Sequence, residues 1–467
     1  MVASHTMSSL LNQYFRCPER FDRIVWRDTP AAPGGYFRFG ADATCFGNYR
    51  AQQPTPVPAE SLHDALDEVV IDAGRACLPF NPSQVVENLR QESYVGEWRS
   101  GRLLALSRLY YFMRPLLPVP VRRHLQKLHL RDWQKFTFPS WPVDCSVDSL
   151  MERLMLLSLR AGDKERIPFV WFWPHDSSSC AVMTHDVETQ AGYDYCRDLM
   201  DIDDSFGIKA SFQIVPEERY RACPEFLGDI RARGFEVCVH DLNHDGHLYR
   251  DREQFLRRAK KINAYGREFG AEGFRAAVLY RKQVWYDALK FSFDMSVPNV
   301  AHLDPQRGGC CTVMPYFFDN GILEIPVTMV QDYTLHNILR DYSICLWKQQ
   351  AKNIMEKHGC MSFIVHPDYV MHPRELGVYK ELLSHLDQLR RECGVWVATP
   401  GSVNRWWRQR AAMELVETDQ GWRIEGEGSE RASIAYASEE DGRIVYSLKK
   451  SPRAEQFDVS STTRATA

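Results

Sequence analysis

Between residues 167 and 400 the chain alternates short apolar runs with longer stretches of helical spacing. The runs are IPFVWFW, CAVMTHDVE, KASFQIVP, FEVCVH, FRAAVL, ILEIPVT, CMSFIVHP and VWVATP, all rich in β-branched and aromatic residues. Runs of that length and composition predict buried strands. The intervening stretches, YDYCRDLMDIDDSFG, CPEFLGDIRARG, DREQFLRRAKKINAYGREFG, YSICLWKQQAKNIMEKHG and YKELLSHLDQLRREC, repeat apolar positions three and four apart. Several end on glycine just before the next run, as a helix C-terminus favours. Repeated strand–helix units predict a parallel sheet or barrel covered by helices, with functional groups gathered where the strands end.

The flanking parts are patterned differently. GYFRFG (35–40) predicts a short strand, SLHDALDEVVIDAG (61–74) a helix and SLMERLMLLSLRAG (149–162) an amphipathic helix. Residues 102–133 are apolar and basic with prolines in the middle, which predicts a helical pair packed on the main domain. The alternative for that segment is peripheral membrane contact. Past 410, GWRIEGEGSE, RASIAYA and GRIVYSL alternate with period two between charged turns, predicting a small antiparallel β appendage. The division expected is an N-terminal α+β region over 1–160, an α/β barrel over 161–408, the appendage over 409–450 and a disordered tail over 451–467.

Length and charge narrow the partners. A chain of 467 residues exceeds one ordinary core. A formal net charge of −4 gives no basic field, so nucleic acid is not an expected partner. Thirteen cysteines, an odd number without zinc-knuckle spacing, sit mostly beside apolar residues (Cys180, Cys238, Cys345), which suits free thiols in a reducing compartment. The vicinal pair Cys310–Cys311 reads as structural. MVASHTM reads as a vector-derived or misassigned start, and neither a signal peptide nor a ~20-residue apolar span is apparent, so a cytoplasmic location is expected.

The chemistry concentrates at strand ends. VCVHDLNHDGH (237–247) packs three histidines and two aspartates behind a strand. His240 and His244 are four apart, and a helical turn there would put both imidazoles on one face, as neighbouring metal ligands require. A solvated polar turn is the competing reading. CAVMTHDVET ends in Asp186 and Glu188, which as i and i+2 of a strand face the same side. Two such acids need a cation to neutralise them, with one serving a metal and the other proton transfer, unless they cap the following helix. Arg275, inside GFRAAVLYR, needs a buried anion, for which Asp186 is the natural candidate. His366 ends the run SFIVHPDYV, where the alternative is a satisfied core histidine.

The order THDVE, ASFQIVP, GFEVCVHDLNH, GFRA, FIVHPD over residues 167–400 resembles the polysaccharide deacetylases (NodB homology, carbohydrate esterase family 4). The resemblance implies a distorted (β/α) barrel with a groove at the strand ends. It implies Asp186 as base, His240 and His244 as metal ligands, Arg275 as the residue that holds the base, and His366 as acid. The family's second aspartate is replaced by Val187, and Glu188 fits the D-x-D/E variant, so Glu188 is assigned to the metal; exchange of roles between Asp186 and Glu188 stays open. Asp294 is a candidate to tune His366, and His185, Asp245 and His247 are expected around the site or on the surface. The segment 299–366 should add loops over the groove.

The activity implied is metal-dependent removal of an N-acetyl group from an amino sugar, with Zn²⁺ or another divalent transition ion as cofactor. The substrate expected is an N-acetylated glycan or a lipid-linked or nucleotide-linked sugar precursor. Two alternatives are a hydrolase of non-sugar amides or imides on the same barrel and a non-catalytic glycan-binding relative.

Overall fold

The computed structural model describes residues 9–27, 34–49, 55, 57–58, 61–95, 130 and 132–448. The expected terminal tail, the MVASHTM start and the apolar segment at 102–129 lie outside the described residues. The centre is a nine-stranded sheet. Its path runs Tyr316–Phe317, Leu323–Glu324, Phe293–Asp294, Gly273–Arg275, Glu236–His240, Ala210–Ile214, Cys180–Val187, Cys360–Val365. Trp396–Ala398 pairs with Cys180–Val182, sharing one edge of that strand with Ala210–Ile214. All ladders are parallel except the one made by Tyr316–Phe317.

No ladder joins the two ends of this path. The chain after Leu323–Glu324 nevertheless reaches Cys360–Val365. Met329 N–H donates to Ser362 O at 3.2 Å, and the Thr328 hydroxyl donates to Cys360 O at 2.7 Å. The sheet is therefore curled, with its ends stitched rather than paired. Gly273 leaves room for its neighbours' side chains, because a Cβ there would collide with the Phe293 ring and Cys238 Sγ.

The predicted helices form at Gln190–Ser205, Pro224–Ala232, Arg252–Glu268, Cys345–Glu356 and Pro373–Cys393. Their apolar faces, among them Leu199, Phe226, Ile262, Ile354 and Leu383, pack on sheet residues Val187, Phe212, Val239 and Phe363 in one core. Each fully buried aliphatic or aromatic side chain contributes roughly 1.5–3 kcal/mol.

A second core joins regions distant in sequence. Leu11 and Phe15 meet Leu150 and Leu154 of the helix Ser146–Ala161, Phe169, Trp406 and Ala437. Arg410, fully buried, donates to the carbonyls of Tyr14, Phe15, Val170 and Trp171 and fastens these pieces together. The C-terminal strands form two hairpins, Glu414–Thr418 with Gly421–Glu425 and Ile434–Glu440 with Arg443–Leu448.

Some expectations are overturned locally. The run IPFVWFW is not part of the parallel sheet: Arg166–Val170 pairs antiparallel with Ile434–Glu440. Apolar composition says that a strand is buried but not which sheet receives it. The stretch 61–74 is not a helix. A short 3₁₀ turn at Ala65–Glu68 leads into Val70–Asp72, which forms a hairpin with Arg75–Leu78. Ala73 and Gly74, both at positive φ, make the two-residue turn that a hairpin favours, and Val69, Val70 and Ile71 are β-branched. All thirteen cysteines are free, and Cys345, despite its apolar neighbours in sequence, is exposed at the start of its helix. Among the described residues no helix is long and apolar enough to cross a membrane.

Candidate functional site

The strand Cys180–Val187 is buried along its whole length and delivers Asp186 and Glu188 to the C-terminal edge of the sheet. The following helix is capped by Thr189, whose hydroxyl accepts from Gly192 N–H at 3.1 Å. Neither acid is spent on the cap, which removes the competing reading of this pair.

Arg275, with no exposed surface, donates to Asp186 Oδ1 at 2.5 Å, to the Thr184 hydroxyl at 2.8 Å and, through Nε, to Met295 O at 3.0 Å. Burial alone would raise the Asp186 carboxyl. Arg275, His240 and His366 outweigh it and hold the group below the ordinary carboxylate range. Only Oδ1 is taken by the guanidinium; Oδ2 lies 3.6 Å from His240 Nε2.

His240 ends the strand Glu236–His240, and its Nδ1 donates to Arg275 O at 3.1 Å. A carbonyl can only accept, so Nδ1 carries the proton and Nε2 keeps a lone pair facing the acids. The segment after it is not helical. Asp241 and His244 are at φ 57° and 55°, and this left-handed turn, not a helix face, brings the two rings to 4.9 Å between centroids. Non-glycine residues tolerate that conformation only where surroundings fix it. Arg219 does so by donating to the carbonyls of Asn243 (3.1 Å) and His244 (2.6 Å), while Arg258 forks onto Asp245 at 2.7 and 2.6 Å.

Glu188 Oε1 lies 2.8 Å from His244 Nε2 and 3.6 Å from His240 Nε2. The His240 contact is too long for a hydrogen bond and the His244 contact is not aligned for one, so both Nε2 atoms are buried without a hydrogen-bond partner. Orphaned buried nitrogens are expensive unless something else binds them. Three donors each about 2 Å from a tetrahedral centre stand roughly 3.3 Å apart, and the 2.8 and 3.6 Å separations bracket that spacing. The donor set of two imidazoles and a carboxylate is one that zinc and similar divalent ions take. The residues fit such an ion. Burial opposes ionisation of Glu188, but His244 and His366 hold it well below the usual range. His240 is raised by Asp186 and Glu188 against its burial, so a proton competes with a cation for this place.

His366 follows the strand Cys360–Val365 and approaches from the other side, with Nε2 3.4 Å from Glu188 Oε1. Its Nδ1 donates to Asp332 Oδ1 at 2.6 Å, and its backbone N–H donates to Asp332 Oδ2 at 2.7 Å. Burial would depress this imidazole; the Asp332 and Glu188 carboxylates override it and raise it well above the usual histidine range. Asp186, Glu188 and His366 form a second group of ligand atoms close enough for one ion. There, however, Asp186 Oδ1 and His366 Nδ1 are already engaged by Arg275 and Asp332.

Asp332, which holds His366, is the member of this cluster that sequence reasoning missed. It lies in VTMVQDY, an acid just past an apolar run, which is the signal that could have found it. Asp294 does not touch His366. It accepts from the Ser296 hydroxyl at 2.8 Å and backbone N–H at 3.1 Å, beside the buried Glu324. His185 is a core histidine on Asp203 (2.9 Å) and the Val365 carbonyl (3.2 Å), and His247 sits half-exposed beside Asp245.

No family model and no curated protein matches the chain. Several solved structures similar to it are polysaccharide deacetylases. One is a polysaccharide deacetylase of Mycobacterium smegmatis, 17% identical with a TM-score of 0.43 over 53% of this chain and 96% of that one. Another, from Pseudomonas aeruginosa PAO1, is 14% identical with a TM-score of 0.40 over 54% and 96%. The allantoinase PuuE is similar at 14% identity and a TM-score of 0.39, over 50% and 92%. Likeness at this level carries no functional weight, so the site must be judged by its own geometry.

Proposed function

We propose that the protein is a metal-dependent hydrolase that removes an N-acetyl group from an amino sugar of a glycan or glycan precursor. The observation that supports this most is the convergence of Glu188, His240 and His244, flanked by an Arg275-held carboxylate and an Asp332-held imidazole. Glu188, His240 and His244 would hold the ion, with zinc the first candidate. A divalent ion there supplies Lewis acidity, polarising an amide carbonyl and easing the deprotonation of water.

The remaining chemistry belongs to the chain's own groups. Asp186, kept anionic by Arg275, takes a proton from the attacking water on Oδ2, the oxygen that the guanidinium leaves free. Attack makes the carbonyl carbon tetrahedral. His366, raised well above the usual histidine range by Asp332 and Glu188, delivers a proton from Nε2 to the amide nitrogen as its bond to carbon breaks, so an amine departs and not an amide anion. Water and N-acetyl sugar become acetate and free amino sugar. The two proton-transfer groups carry opposite charge on either side of Glu188, which suits a cycle in which one accepts and the other donates.

The experiment is release of acetate from N-acetylhexosamine oligosaccharides by the zinc-loaded protein. Asp186→Asn and His366→Ala should lose turnover while keeping the ion. Hydrolysis confined to non-sugar amides or imides would replace the sugar in this reading. Glycan binding with metal bound but no acetate released would make the protein a non-catalytic relative.

A further inference from the structure

The base and the acid of the proposed reaction stand on neighbouring strands, and one side chain on the far face of the sheet is tied to both. Along Cys180–Val187 successive side chains alternate, so Thr184 and Asp186 meet Arg275 while His185 turns to the helices outside. There His185 has no exposed surface, and neither has Asp203. His185 Nε2 lies 2.9 Å from Asp203 Oδ2, and the Tyr379 hydroxyl donates to Asp203 Oδ1 at 2.5 Å. Asp203 comes from the helix Gln190–Ser205 and Tyr379 from Pro373–Cys393. The other nitrogen, Nδ1, lies 3.2 Å from Val365 O. A carbonyl only accepts, so Nδ1 carries a proton, and the contact with Asp203 holds a second one on either partner. Packing alone asks for none of this. The ring lies beside Phe212 (5.0 Å) and Tyr379 (6.0 Å), where a phenylalanine would fill the same space.

The Val365 carbonyl belongs to the peptide that leads into His366. The other end of that peptide, the His366 N–H, donates to Asp332 Oδ2 at 2.7 Å. Side chains therefore grip the plane at both ends, His185 from the strand of the base and Asp332 from the chain past Leu323–Glu324. We propose that His185, braced by Asp203 and Tyr379, is a positioning residue that sets where His366 stands relative to Asp186. His185 precedes Asp186 in sequence and lies in register opposite Val365, so a single hydrogen bond ties the backbone of the acid to that of the base. In a buried network each such bond is strong, because no water competes for its partners. A general acid displaced by about 1 Å costs roughly 10²-fold in rate, without any loss of contact to substrate. The role of His366 as acid rests on the deacetylase reading; the fixing of its ring does not.

Substitutions separate the two nitrogens. The amide nitrogen of asparagine takes the place of Nδ1, and that of glutamine the place of Nε2. His185→Asn thus keeps the donor to Val365 O, His185→Gln keeps the Asp203 contact without that donor, and His185→Phe keeps only the packing. The first readout is kcat and KM of the zinc-loaded protein for tetra-N-acetylchitotetraose. The second is the proton resonance of His366 Nδ1–H in metal-free protein with isotope-labelled histidine, assigned by its absence from His366→Ala. That proton lies in the short bond to Asp332, so its downfield position reports how well the ring is held. His185→Gln and His185→Phe should lower kcat roughly ten- to a hundredfold with KM unmoved, and move the resonance upfield. His185→Asn should stay within about threefold of wild type and keep the resonance. Tyr379→Phe removes one hydroxyl, should give a smaller loss of the same kind, and decides the matter where the His185 variants do not fold. Wild-type kcat and resonance in folded His185→Phe, or in Tyr379→Phe where that alone folds, overturn the role, as does a His185→Asn protein as impaired as His185→Gln. Should the wild-type protein release no acetate, the resonance alone decides the positioning, and the deacetylase reading falls by itself.

Discussion

Replacing Arg275 with methionine removes the guanidinium that touches Asp186 while keeping most of the side-chain volume. The structure sets the size of the effect. Arg275 has no exposed surface, and its polar contacts tie its own strand to Asp186 and Thr184 of Cys180–Val187 and to Met295 just past Phe293–Asp294. Breaking a buried pair by removing one partner costs about 3–5 kcal/mol, because the other charge stays buried and unpaired. The corresponding cost for an exposed pair is about 0–1 kcal/mol. Chemical denaturation of the metal-free protein should therefore show Arg275→Met several kcal/mol less stable. Combining it with Asp186→Asn should cost clearly less than the two single losses added, since the stranded carboxylate is then gone. Activity should respond in the same sense. Without the guanidinium the Asp186 carboxyl rises, so the acid limb of the pH–rate profile moves to higher pH. A loss below about 1 kcal/mol, or strict additivity in the double variant, would refute a buried, structurally committed pair.

Three other outcomes follow from the same geometry. Asp332→Asn removes the carboxylate that raises His366, so the alkaline limb of the pH–rate profile should move to lower pH and kcat should fall, while metal content is unchanged; an unmoved limb would show that Asp332 does not set His366. His366→Ala should lower kcat by roughly 10²–10⁴, the usual worth of a general acid, and a loss under tenfold would assign the proton donor elsewhere. Burial, with Arg307 nearby, pushes the His302 imidazole down to about 4 beside the Trp141 ring. The unfolded chain binds that proton near ~6.5 and the folded protein only near 4, so stability is complete above the upper value and lost as pH falls between them. Denaturation across that window should show up to roughly 3 kcal/mol of loss that flattens in His302→Phe, and an identical slope in the variant would clear His302 of it.

The grouping of the candidate residues was largely legible because they lie at the ends of strongly patterned strands. Asp186, Glu188, His240, Arg275 and His366 each follow or end an apolar run, and parallel ladders must deliver such ends to one edge. The register Arg275 opposite His240 is an instance. What periodicity could not supply was local backbone. The convergence of His240 with His244 depends on left-handed residues at Asp241 and His244, a conformation that no pattern of polarity announces. Asp332 was missed for a related reason: the last strand before it, Leu323–Glu324, is only two residues long, and Asp332 stands well past its end, just before the helical turn Thr334–Leu339. The pairing of Arg166–Val170 with a strand 264 positions or more away was equally hidden, because both segments read simply as short and apolar.

The central claim is that Glu188 and the imidazoles of His240 and His244 grip one divalent ion. The most direct measurement is the zinc content of the wild-type protein and of His240→Ala after reconstitution and exhaustive dialysis. Occupancy of about one ion per chain that collapses in the variant is the expected result for a three-ligand site stripped of one ligand. A fully loaded His240→Ala protein, or a wild-type protein that retains none, would contradict it.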